Sequence, residues 1–194
     1  MSSFRNSAFA AAITLAGLGG TAFSSAFAPA LAEMTVEVGG APMYPSKTII
    51  ENAVNSEDHT TLVAAIKAAD LVETLQGDGP FTVFAPMNKA FEKLPKGTLE
   101  TLLKPENKPA LTAVLTYHVI PGKISAADFV AAVKNRGGKA TYKTVEGESL
   151  TVQQDGRRLE ISDTKGDKAF VTIADVNQKN GVIHVVDTVL LPKS

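Results

Sequence analysis

The chain has no cysteine, no tryptophan and only three histidines in 194 residues. Without cysteine there is no disulfide, no thiol nucleophile, no iron–sulfur ligation and no thiolate zinc site. Aromatic residues make up 6% of the chain, which gives little for bases to stack on. Neither sign of charge dominates: 19 basic residues face 20 acidic ones, and no basic cluster stands out. That balance argues against nucleic acid as a partner and against a polybasic membrane anchor. Signatures of catalysis are missing as well. There is no Gly-x-Ser-x-Gly elbow, and Gly77-Asp78-Gly79 lacks the Lys-Ser/Thr that would make it a phosphate loop. The carboxylates are scattered and form no evident glycosidase couple. No Asn-x-Ser/Thr sequon occurs. A non-enzyme with no cofactor and no metal is the expectation.

The histidines support it. His59, His118 and His184 are too far apart in sequence for a preformed helical metal site. His59 reads as an exposed residue at a helix start. His118 and His184 fall in apolar strands, where a hydrogen-bonded structural histidine is the expected outcome.

No apolar run is long enough to span a bilayer, which needs roughly 20 residues. The longest near the start, Ala8 to Leu18, follows Arg5 and is broken by Gly17, Gly19 and Gly20. With Ala30-Leu31-Ala32 behind it, this is the order of a secretory signal peptide, cut after Ala32. Residues 33–45 then read as a glycine- and proline-bearing lead-in, and 46–194 as one domain. The 162 residues left carry 18 basic and 20 acidic groups, a net of −2. A domain of that size buries about 70% of its unfolded surface and needs no disulfide.

The first half is patterned for helices. Ser46 is a candidate cap for a helix bearing Ile49, Ile50, Ala53 and Val54. Leu62, Ala65, Ile66 and Ala69 share one face of the next. Phe81 to Phe84 is a strand ended by Pro86, and Asn88 is a candidate N-cap for a short helix bearing Phe91. Further helices are expected over Gly97–Leu103 and Lys108–Leu115, a strand over Tyr117–Ile120, and a helix capped by Ser125. Strand alternation would place His118 and Ile120 on one face, Tyr117 and Val119 on the other.

The last third alternates instead. Five short strands are separated by Glu146-Gly147, Asp155-Gly156, Lys165-Gly166 and Asn180-Gly181, pairs that tolerate positive φ in tight hairpins. Lys165-Gly166-Asp167 reads as an ordinary solvated loop. Helices first and an antiparallel meander after define an α+β domain.

Three segments resemble the fasciclin domain: Phe81–Phe91, Leu115–Gly122 and Asn180–Pro192. Their motif positions are Thr82, Phe84, Ala85, Pro86, Asn88 and Phe91, then Tyr117 and His118, then Asn180, Gly181, His184 and Asp187. Met87 departs from the family's usual Thr or Ser. The resemblance implies helices packed on a twisted wedge of two mostly antiparallel β-sheets. It also implies a secreted or periplasmic binding protein of bacterial type, acting in cell adhesion or extracellular matrix contact. Its partner would be a cell-surface or matrix protein, a second copy included. The adhesive strip would be Tyr117, His118, Ile120, Pro121 and Gly122, although Tyr117 and His118 also suit a purely architectural role. The other reading is a periplasmic binder of a small apolar ligand (lipid, pigment or quinone) held between helices and sheet.

Overall fold

The structure, a computed structural model, describes residues 35–193, all within one compact unit, Glu33–Ser194. The expected signal peptide and its cut near Ala32 lie outside the described residues. A hairpin comes first, β1 (Val36–Val38) and β2 (Ala41–Met43), with Val38, Ala41 and Met43 buried in the main core. The lead-in is thus packed into the domain rather than leading up to it.

Helix α1 (Ile49–Ala53) is capped by Thr48, not by Ser46. The Thr48 hydroxyl accepts from Glu51 N at 3.3 Å, and the Glu51 carboxylate accepts from Thr48 N at 2.7 Å. This reciprocal box needs a side chain that accepts hydrogen bonds three residues after the cap, a spacing that Thr48 has and Ser46, followed by Ile49, does not. A 3₁₀ turn, Glu57–His59, runs into α2 (Thr60–Ala68), and α3 (Val72–Gln76) follows. After β3 (Phe81–Pro86) come α4 (Asn88–Glu92) and α5 (Thr98–Leu102). Helix α6 spans Lys108–Tyr117, with Pro109 in its first turn where no N–H is needed. Strand β4 (Val119–Pro121) leads to α7 (Ala126–Asn135), which Ser125 caps through a box with Asp128.

The remaining strands are β5 (Lys139–Lys143), β6 (Ser149–Asp155), β7 (Arg158–Ser162), β8 (Lys168–Gln178) and β9 (Gly181–Val186). The sheet order is β4-β3-β9-β8-β7-β6-β5. β3 and β9 run parallel and every other pair is antiparallel, so the α+β expectation holds. Both members of the parallel pair are buried nearly throughout, as strands covered on two faces must be.

The bend that makes two wings lies in β8. Lys168–Phe170 pair with β7, whereas Val171–Gln178 pair with β9 across two register shifts. Asp175 sits there at φ 57°, as a bulge residue. Val145 N then donates to Val119 O at 2.8 Å and brings the far edge back toward β4. One core lies under the helices, built on Ile49, Leu62, Ile66, Val83, Leu115 and Val185. The other lies between the wings and α7, around Phe84, Tyr117, Phe129, Leu150, Ile161 and Leu190.

Candidate functional site

The first departure from expectation is at Tyr117. It is the last residue of α6, and His118 is the C-cap, so strand alternation does not apply to the pair. Both side chains turn inward. Tyr117 is 0% exposed, His118 4% and Ile120 3%, which puts all three out of a partner's reach. Of the expected strip only Pro121 is exposed, with Gly122 half-buried at φ 100°.

Each inward group has full hydrogen-bonding work. The Tyr117 hydroxyl donates to Ser149 O at 3.1 Å and accepts from Thr164 N at 3.3 Å, and burial pushes its pKa up. His118 Nδ1 donates to Val114 O at 2.7 Å, while its Nε2 accepts from Leu190 N at 3.1 Å. Those partners fix one neutral tautomer. Burial pushes its pKa down to about 4, so the ring stays uncharged at neutral pH. His184, in β9, donates from Nε2 to Ile124 O at 3.0 Å and accepts Asp175 N at 3.3 Å. Its ring packs against Phe84 and Phe129, and burial lowers its pKa as well. His118 thus ties the closing segment to α6, and His184 ties the β8 bulge to the loop before α7.

The other motif residues also join segments. Thr82 Oγ1 donates to Gly122 O at 2.6 Å and accepts from Ile124 N at 2.9 Å. Asn88 does not cap α4; Met87 holds that position, with no side-chain bond. Instead the Asn88 amide oxygen accepts from Thr61 N at 3.0 Å, and its Nδ2 donates to Glu57 O at 2.8 Å. It therefore serves the first turn of α2, on a neighbouring element. Ala85, Pro86 and Phe91 are buried packing residues beside it. Asp187 Oδ1 accepts from Phe170 N at 2.9 Å, and Lys93 lies 3.5 Å from its other oxygen.

Asn180-Gly181 works differently from the expected turn, since neither residue has positive φ. The Asn180 side chain accepts from Ile49 N at 3.0 Å and donates to Leu75 O and Gly77 O at 2.8 and 2.9 Å. It holds the start of α1 and the end of α3 on the sheet. Gly181 is required by close approach: a Cβ there would lie 2.1 Å from Phe81 O.

His59 was missed by sequence reasoning. It is 3% exposed, not a surface residue, because the 3₁₀ turn rolls it under α2. Its Nδ1 is 2.9 Å from Ser56 Oγ. Nε2 is, among the described residues, the one buried side-chain polar atom with no hydrogen bond. Burial lowers its pKa, with the Ala85 carbonyl pulling the other way. The ring borders an enclosed cavity lined also by Leu62, Ile66, Phe84 and His118. At about 40 Å³ this space between helices and sheet holds a water or two, not a lipid, pigment or quinone. No cluster of three metal-ligating side chains exists among the described residues.

The fasciclin domain profile matches residues 57–192. Protein sll1483 of Synechocystis sp. is 50% identical over 161 residues, covering 82% of both chains. Human periostin is 34% identical over 148 residues, covering 76% of this chain and 16% of that one. Among solved structures, a FAS1 domain pair from the insect cell adhesion molecule fasciclin I superposes with a TM-score of 0.67 at 19% identity. That match covers 81% of this chain and 57% of the other, and it bears on the fold alone. By profile and by identity, the chain belongs to the fasciclin domain family.

Proposed function

We propose that this is an exported, non-catalytic fasciclin domain that works by protein contact, in adhesion to a cell surface or extracellular matrix. Export removes Met1–Ala32 and leaves the remainder in the periplasm or the medium. The observation that carries the reading is the use made of the polar motif residues. Thr82, Asn88, Tyr117, His118, Asn180 and His184 are all bonded to backbone groups, so the three motif segments build a scaffold rather than a reactive cleft. Membership of the fasciclin domain family supplies the adhesion half of the proposal, since the resemblance to that family is what implies adhesive contact. The surface left to the expected strip is exposed Pro121, with half-buried Gly122 and exposed Lys123 beside it.

A deletion strain of the source organism tests this. Attachment is measured after complementation with wild type or with a Pro121→Ala, Lys123→Ala pair that leaves the buried residues untouched. Impaired attachment that wild type restores and the folded pair does not restore supports both halves. Normal attachment by the deletion strain removes the adhesive reading.

A further inference from the structure

Helix α7 and strands β7 and β8 enclose an open groove of about 660 Å³. Its floor is apolar, with Val130 and Ala131 from the helix and Leu159 and Val171 from the strands. Its only charged lining residues are Lys134, Arg157 and Arg158. Lys134 and Arg157 are exposed and make no hydrogen bond or ion pair with the described residues. Arg158 sits 4.2 Å over the Phe170 ring and 3.9 Å from Asp155, a loose and exposed pair. In a chain of net charge −1, three cations around one apolar floor reverse the local sign.

Those features select a ligand class. A neutral apolar molecule would cover the floor and gain nothing from the cations. A small inorganic anion would meet the cations and leave the floor wet. A molecule with both parts uses both. The volume suits it, since small-molecule sites run from about 300 to 1,000 Å³. We propose that the groove binds a long-chain carboxylic acid as a free monomer, its chain along the floor and its carboxylate among Lys134, Arg157 and Arg158. The site lies outside the motif segments and is independent of the protein-contact reading.

The test is a titration of the purified chain with laurate, below its micelle concentration, followed by calorimetry and by amide shifts. The expected result is saturable one-to-one binding that moves the signals of Val130, Ala131, Leu159 and Val171. Dodecanol, with the same chain and no charge, binds about tenfold more weakly or worse, as does laurate to a Lys134→Glu, Arg157→Glu, Arg158→Glu variant. If that variant melts early, Arg157→Gln alone carries the comparison, because this side chain has no contact to lose. Equal binding of laurate and dodecanol overturns the proposal, as do unchanged laurate binding by the variants, shifts elsewhere, or no laurate binding at all. Binding to phosphatidylglycerol vesicles without binding of monomeric laurate also overturns it, in favour of a membrane surface.

Discussion

His118 shows how a residue that looks functional can be structural. A histidine in the unfolded chain takes up its proton near pH 6.5, whereas in the fold His118 does so at about 4. Between those values the unfolded chain binds more protons, so stability rises with pH through that window and is complete above it. Urea unfolding at pH 7.5, 5.5 and 4.5 should show a loss on the order of 3 kcal/mol toward the acid end from this residue alone. His59 and His184, also shifted down by burial, add to the loss with the same sign. Glu51, Asp128 and Asp187 have lowered carboxyl pKa values, so their share is lost only at lower pH. A His118→Phe exchange keeps an aromatic ring, a somewhat larger one, but strands Leu190 N and Val114 O. It should cost about 2–4 kcal/mol at pH 7.5 and flatten the slope below pH 6.5. A slope unchanged by the exchange would mean that His118 protonates freely in the fold.

At the scale of elements, what could be read in advance was what local chemistry decides. Ser125 with Asp128 three residues on is a complete cap signal, and α7 starts there. Five strands form in the last third as alternation suggests, although β8 runs on to Gln178 and Asn180-Gly181 has no positive φ. Tyr117 was misplaced because Thr116-Tyr117-His118-Val119-Ile120 has the composition of a strand. The helix begun at Lys108 runs on through Tyr117, so that Tyr117 and His118 enter the core, and propensity loses to that packing. The motif segments did mark where polar side chains concentrate. Their direction, inward, depends on partners far away in sequence, such as Leu190 for His118 and Leu75 for Asn180. The same distinction ranks two mutations. Ser125→Ala removes one local cap and should cost about 1 kcal/mol. Asn180→Ala frees Ile49 N, Leu75 O and Gly77 O together and should cost about 3 kcal/mol or more. Equal denaturation midpoints for the two variants would contradict the role given to Asn180.

For the molecule as a whole the open question is where the folding unit begins. The family match starts at residue 57, yet β1 and β2 contribute Val38 and Met43 to the same core as Ile49 and Leu62. The junction is also bonded. Glu57 N donates to Gly39 O at 3.0 Å, and Asn52 exchanges hydrogen bonds with Tyr44 at 3.1 and 2.8 Å while donating to Gln178. Gly39 is fitted to this contact: its φ is 57°, and a Cβ there would stand 2.4 Å from Ser56 Oγ. Burying Val38 and Met43 is worth about 2 kcal/mol each, or about 4 kcal/mol together. Domains in general hold only about 5–15 kcal/mol in total. A chain beginning at Pro45 should therefore sit at the margin of folding, with a much lower urea midpoint and rapid proteolysis, beside a chain beginning at Glu33. A Gly39→Ala exchange should move the midpoint the same way by a smaller amount, since it strains the junction without removing the hairpin. If the chain beginning at Pro45 unfolds at the same urea concentration as the longer one, the hairpin is an appendage, and the domain is complete without it.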